Sequence, residues 1–408
     1  MPKSSAALRN LRSCVILLVV GFHSVLPYLA SQHVSQVPFD SPPYSWLGVP
    51  LVDNERWLGF DLFCAAQYVF LMPFMLFLSG LFVWPTLVRK GSRVFLSERV
   101  LRLGVPFVLG VYLLMPIAHY PVYRVTAVDP SWSAFWAQWV ALPFWPSGPL
   151  WFLWHLLVLD AAAAALFSLA PRSGAFLGRL AAGDSPRRFF LLLLTISALA
   201  YVPFAMKFQP WDWGKVGPFS FQPSRLLHYA VYFFAGVGVG AYGLDRGLLR
   251  LDGLLARRWA PWLAAAVAAF ISWMAATAVT MDEARSGLPL LEILPALAFT
   301  LSNATACLCF ASVFLRFASR PWPAFAGLSE NAYGIYLVHY VFVIWLQYLL
   351  LGIALFAIVK GALVFAGALS LSLASAVAIR HIPIGARLLG AQRPASVRTP
   401  RSDFAKTV

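Results

Sequence analysis

Residues 11–30 read LRSCVILLVVGFHSVLPYLA, and the fold follows from how this stretch is read. Apart from Arg12 at its start, His23 is the one side chain in it that titrates near neutrality. At 1.5 Å per residue a helix of this length covers about 30 Å, the thickness of bilayer hydrocarbon. The apolar residues are continuous, without the alternation that a spanning β-strand needs, so a β-barrel is excluded and the segment reads as a transmembrane helix. Working outward, similar runs recur at 62–84, 103–119, 149–170, 189–206, 226–243, 260–281, 290–315, 332–351 and 353–379, giving ten spans. In the last, Lys360 either snorkels at the outer end or marks a helix that begins at Gly361. A chain that is 60% hydrophobic and 12% charged has more apolar surface than one soluble core can hide. The fold class is therefore all-α: a polytopic transmembrane helical bundle of about ten helices.

A net charge of +15 would suggest a nucleic-acid partner in a soluble protein. Here its placement accounts for it. Twenty-four of the 31 Lys and Arg residues fall on alternate connections, starting with Lys3, Arg9 and Arg12 and ending in the C-terminal segment, against seven on the others, Arg285 among them. Positive charge is retained on inner loops, so both termini are assigned to the cytoplasm of a bacterial inner membrane, and no nucleic acid is needed. The basic start also resembles a secretory signal, but no small-x-small cleavage site follows, and it reads as an uncleaved anchor. The outer segments 31–61 and 120–148 are rich in proline and aromatics (Pro42, Pro43, Tyr44, Trp46; Trp132, Trp136, Trp139, Trp145), which suits lids or interfacial helices. Residues 1–384 form one transmembrane domain, and 385–408 read as a basic, disordered tail. Cys14, Cys64, Cys307 and Cys309 lie in apolar runs with no disulfide or metal spacing.

Ionisable groups inside a span face the bundle interior, because lipid solvates them poorly. Arg12 and His23 are eleven residues apart, so on one helix they differ by about 20° in azimuth and roughly 16 Å in depth. Arg12 serves either as a phosphate holder at the inner mouth or as a charge anchor; His23 serves either as a base or as a bonded packing residue. Arg99 and Arg102 share a helical face and are placed to clamp a second phosphate, or else form a solvated basic turn with Glu98 as counter-ion. Tyr333, Tyr336 and His339 make a polar-aromatic stripe in the ninth span. Asp160, mid-span, requires an interior partner, while His155 does not face it. Arg225 and His228, at the outer end of the sixth span, are placed to meet an outside substrate or lipid headgroups.

Five motifs occur in order: Arg12 with His23; Phe77-Leu78-Ser79-Gly80; Glu98-Arg99 to Arg102 with Gly104-Val105-Pro106; Gly148-Pro149-Leu150-Trp151; and Tyr333 to His339. Together they resemble the acyltransferase 3 superfamily, in which the arginine and histidine of the first helix are catalytically required. The stretches around Arg99 and Trp151 are similar to the glucan biosynthesis protein C succinyltransferase branch. The resemblance implies transfer of an acyl group, acetyl or succinyl, from cytoplasmic acyl-CoA to a hydroxyl of a glycan or related acceptor outside. It implies a catalytic role for His23, which we read either as the general base or as the site of a transient acyl-imidazole; Arg12, Arg99 and Arg102 are read as donor-binding residues, and Tyr336, His339, Ser79, Trp151 and Asp160 as substrate-site residues, with Tyr336 or His339 as candidate donors to the thioester oxyanion. No metal and no permanently bound cofactor is implied; acyl-CoA is the donor substrate, and membrane lipid the surroundings. Two other classes compete. A secondary transporter would show two matching halves, which are not found, and a polytopic glycosyltransferase would need carboxylates at metal spacing, which Asp40, Asp53, Glu55, Asp61, Asp282 and Glu283 do not supply.

Overall fold

The structure is a computed structural model that describes residues 3–32, 38–42, 44–181, 183, 185–280, 289–320 and 322–390. Pro43, Asp282, Glu283, Arg285 and the tail from residue 391 lie outside the described residues. The helices in chain order are α1 (Lys3–Val25), α2 (Leu58–Gly80), α3 (Val83–Arg99), α4 (Val105–Leu109), α5 (Met115–Thr126), α6 (Trp132–Ala141), α7 (Trp151–Leu169) and α8 (Ser173–Ala181). They continue with α9 (Pro186–Ala205), α10 (Leu226–Tyr242), α11 (Leu254–Arg257), α12 (Trp259–Thr280), α13 (Pro289–Phe317), α14 (Pro323–Leu350), α15 (Ala357–His381) and α16 (Pro383–Leu388). A two-stranded antiparallel hairpin, β1 (Gly214–Val216) and β2 (Phe219–Phe221), joins α9 to α10.

Among the described residues, nine helical segments are long and apolar enough to cross a membrane. The sixth expected span is α10, at 17 residues just shorter than those nine. It packs closely against α2. A methyl on Gly236 would overlap the Phe77 carbonyl, one on Gly240 the Leu81 carbonyl, and one on Gly80 the Phe233 carbonyl, so small residues let the α2 and α10 backbones touch. The buried core runs through α1, α2, α10 and α14 (Val20, Phe74, Phe233, Val343). At the other extreme, α12 buries only Ala269, as expected of a uniformly apolar helix at the lipid-facing edge.

The third span departs from the sequence expectation. Instead of an isolated helix at 103–119, the chain is helical from Val83 to Thr126, broken at Gly91 (φ 74°) and widened into π turns at Val100–Gly104 and Gly110–Leu114. Arg99 and Arg102 flank and enter the first π turn, so their relative direction is not that of an α-helical i, i+3 pair.

Lys360 also departs from both alternatives. It neither snorkels nor precedes its helix: it lies in the first turn of α15, fully buried, with Nζ 2.8 and 2.9 Å from the two carboxylate oxygens of Asp53. The segment carrying Asp53 is tied to the end of α1, its N–H donating to the Pro27 carbonyl and that of Trp57 to Tyr28, and so brings a counter-ion to the lysine. Of the outer aromatics, Trp46 and Trp139 are buried, whereas Trp132 and Trp136 are exposed. Trp46 stacks on Phe39 at 4.5 Å, and α6 places Trp139 against the same cluster. Helix α16 crosses residue 384, and the described residues run to Gly390.

Candidate active site

A cavity of about 560 Å³ opens at the end of the bundle that carries Arg12 and Arg102, bounded by α1, α2, the α3–α4 run, α7 and α14. Its wall holds five cations (Arg12, Arg89, Lys90, Arg99, Arg102) and three carboxylates (Glu98, Asp160, Glu330). Two of the cations are already paired. Lys90 binds Glu98 at 2.6 Å, with Arg102 and Arg99 adding weaker Coulombic attraction to that carboxylate, and Arg99 Nε lies 3.1 Å from the buried Asp160 Oδ2. Asp160 thus finds its interior partner on α3, through charge attraction without an aligned hydrogen bond to either oxygen. Arg99 is a half-compensated cation whose guanidinium also lies 4.9 Å from the Phe95 ring centroid. Arg12, Arg89 and Arg102 have no carboxylate partner among the described residues, and Arg12 stacks over Phe82 at 4.6 Å. Such exposed, uncompensated guanidinia suit a polyanion. Gly390 packs on the Arg102 guanidinium and forms part of the rim.

The inner end of the cavity reaches Val19 and Tyr336. One turn beyond Val19 on the same helix is His23, half-buried and outside the cavity wall itself. His23 Nδ1 lies 2.8 Å from the Val19 carbonyl, and His339 Nδ1 lies 2.7 Å from the Tyr336 carbonyl. A carbonyl only accepts, so both Nδ1 atoms carry hydrogen, and each neutral ring keeps its lone pair on Nε2. The Nε2 of His339, fully buried, faces His23 Nδ1 at 3.3 Å and shares that proton. The pairing leaves His23 Nε2 as the basic nitrogen. Gln347 Nε2 donates to the His23 carbonyl at 2.7 Å, fixing the turn that presents the ring.

Other sequence expectations change. The Tyr336 hydroxyl donates to the Pro149 carbonyl and that of Tyr333 to the Arg102 carbonyl, while the neutral His339 ring has its one N–H on Tyr336, so neither Tyr336 nor His339 offers a free donor to an oxyanion. Ser79 lines the cavity, with its proton on the Met75 carbonyl at 2.8 Å. Trp151 is not part of the cavity wall; it stacks with Tyr229 at 5.9 Å. Arg225 and His228 meet neither headgroups nor an outside ligand. Arg225 is 2% exposed, clamped between the Tyr68 and Phe299 rings, and the fully buried His228 is bonded to Ser197 and Asn303. Arg89 and Lys90 enter the wall without having been singled out from sequence, where they counted only toward the inner-loop charge. Among the described residues no cluster of His, Cys, Asp and Glu could hold a metal ion.

With this geometry in place, the profile of the acyltransferase 3 family, described as an acyltransferase domain, matches residues 5–381. The chain belongs to that family. It is an acyltransferase and, with nine apolar helices of spanning length among the described residues, a multi-pass integral membrane protein. No curated protein and no solved structure matches it. The matched region of this acyltransferase includes α1 with both Arg12 and His23, the whole cavity wall up to α15, and the His339 that buttresses His23.

Proposed function

We propose that this acyltransferase takes an acyl group, acetyl or succinyl, from acyl-CoA entering at the basic mouth on the cytoplasmic side of a bacterial inner membrane. It delivers the group to a hydroxyl of a glycan or related acceptor reached from the opposite side. The observation that carries this reading is the alignment of an arginine-walled cavity with the His23–His339 pair one helical turn past its inner end. CoA phosphates bind Arg12, Arg89 and Arg102, with Arg99 adding a weaker charge, and the pantetheine arm runs along α1 toward Val19. His23 Nε2 takes the proton of the acceptor hydroxyl as its oxygen attacks the thioester carbonyl. The resulting imidazolium is held by the Val19 carbonyl and His339 Nε2. Collapse of the tetrahedral adduct breaks the carbon–sulfur bond, and the departing CoA thiolate takes the proton from His23 as thiol. The new bond is an ester and His23 is restored.

The test uses purified protein in lipid nanodiscs with radiolabelled acetyl-CoA and succinyl-CoA, and as acceptor the deacylated envelope glycans of a deletion strain. His23→Ala should lower turnover about 10²- to 10⁴-fold. Arg12→Ala and Arg102→Ala should weaken acyl-CoA binding. Turnover by His23→Ala close to that of the parent protein, or solute uptake by proteoliposomes without acyl-CoA, would overturn the reading.

A further inference from the structure

The cavity changes character with depth. At its mouth Arg12 covers Phe82, Arg99 faces Asp160, Lys90 binds Glu98, and the Arg102 guanidinium rests on Gly390 at the rim. Inward of these, the wall runs from Arg12 to Val19 on α1, from Phe82 to Met75 on α2 and from Asp160 to Phe152 on α7. Phe152 meets Tyr336 edge-on at 6.2 Å at the inner end. Apart from Ser79, every side chain that lines these three inward paths is apolar. Val19 is seven residues from Arg12, about 10 Å along the helix, and His23 lies another turn beyond.

The polar groups that do reach the inner end are already engaged. The Tyr336 hydroxyl donates to the Pro149 carbonyl and that of Ser79 to the Met75 carbonyl, while the N–H groups of His23 and His339 lie on the carbonyls of Val19 and Tyr336. The rings packed on His23 are those of Phe22, His339 and Tyr340, with no Lys or Arg among them. A donor whose phosphates stay at the mouth and whose thioester reaches toward His23 lays its acyl chain in these surroundings. A carboxylate carried there loses its hydration and gains no counter-ion in return. A succinyl chain is shorter than the gap back to Arg12, and the first charged group on the way back along α7 is an acid, Asp160. We infer that the inner part of the cavity selects its donor by charge: the group transferred is a short, uncharged acyl chain such as acetyl, and succinyl is excluded. The two stretches that resemble the succinyltransferase branch do not bear on the acyl end, since Arg99 sits at the mouth and Trp151 is not part of the wall. Met75, Phe152 and Leu153 are the specificity-determining residues, because they meet the acyl chain with carbon and sulfur alone.

This inference rests on the donor path from the basic mouth to His23, and the nanodisc assay separates the two. With the deacylated envelope glycans as acceptor, transfer is followed from labelled acetyl-CoA, butyryl-CoA and succinyl-CoA; butyryl has the carbon chain of succinyl without its charge. The kcat/KM for succinyl-CoA should lie about 10²-fold or more below that for acetyl-CoA, with butyryl-CoA much nearer to acetyl-CoA. Met75→Lys exchanges one unbranched side chain for another and brings an ammonium to the inner wall, so it should narrow the acetyl-to-succinyl ratio about tenfold or more. Succinyl transfer by the parent protein as efficient as acetyl transfer would overturn the inference and leave the donor path standing. Rejection of butyryl-CoA as complete as that of succinyl-CoA would overturn it too, because length and not charge would then select. A Met75→Lys variant with the thermal midpoint and the donor ratio of the parent would show that the acyl chain does not lie against this wall. Should that variant fail to fold, the three donors compared on the parent protein still decide. Transfer from none of the three would remove the donor path and this inference with it.

Discussion

At the scale of single residues, the chemistry depends on which nitrogen carries a proton. Three histidines near the proposed reaction centre each place Nδ1 on a backbone carbonyl: His23 on Val19, His119 on Met115 and His339 on Tyr336. The backbone thus selects one tautomer three times, and the differences lie in what each Nε2 faces. For His339 it faces His23, which makes His339 an orienting group. His339→Asn should lower turnover about tenfold or more while leaving acyl-CoA affinity unchanged, and should shift the pH profile of kcat. A profile identical to that of the parent protein would assign His339 a packing role only. His23 and Arg12 were legible in the sequence because their spacing is a property of one helix. The partners of Asp160 and Lys360 were not, since each sits on a segment brought near only by the completed fold: Asp160 pairs with α3, and Asp53 is 307 residues from Lys360.

At the scale of elements, hydropathy alone located almost every spanning helix, because lipid requires long apolar runs whatever they pack against. It gave no sign of how closely two helices approach. The contact between α2 and α10 depends on Gly80, Gly236 and Gly240, each facing a backbone carbonyl of the other helix or of Leu81 just past α2. Gly240→Val should therefore separate the pair and cost about 1–3 kcal/mol by overpacking, read as a lower thermal midpoint in detergent. Gly327→Ala, where nothing lies within 4 Å of the added methyl, is the control. The π turns of the third span were equally hidden, since a π turn leaves the apolar run intact while changing the direction of the side chains that follow. That is why the sequence could place Arg99 and Arg102 at the mouth but not the direction of the second, which lies inside the first π turn.

At the scale of the whole molecule, the acyltransferase opens a cationic cavity at one end of the bundle, with His23 one helical turn past the inner end of that cavity. The Asp53–Lys360 pair, both members buried, ties the start of α15 to the segment that is bonded to the end of α1. Lys360→Met should destabilise the fold by about 3–5 kcal/mol, because Asp53 would be left as a bare buried charge. Adding Asp53→Leu should restore most of that loss in the same thermal measurement, and a double variant no more stable than the single would show that the pair does more than neutralise itself. The pair also constrains biogenesis. Asp53 emerges from the ribosome long before the helix that will neutralise it, and α15 must then enter the bilayer with a lysine whose ammonium is held by that distant aspartate. A nascent chain stalled or truncated before α15 would expose an unmatched acidic group where quality-control proteases of the membrane survey new proteins, so completed chains would be spared and partial ones removed.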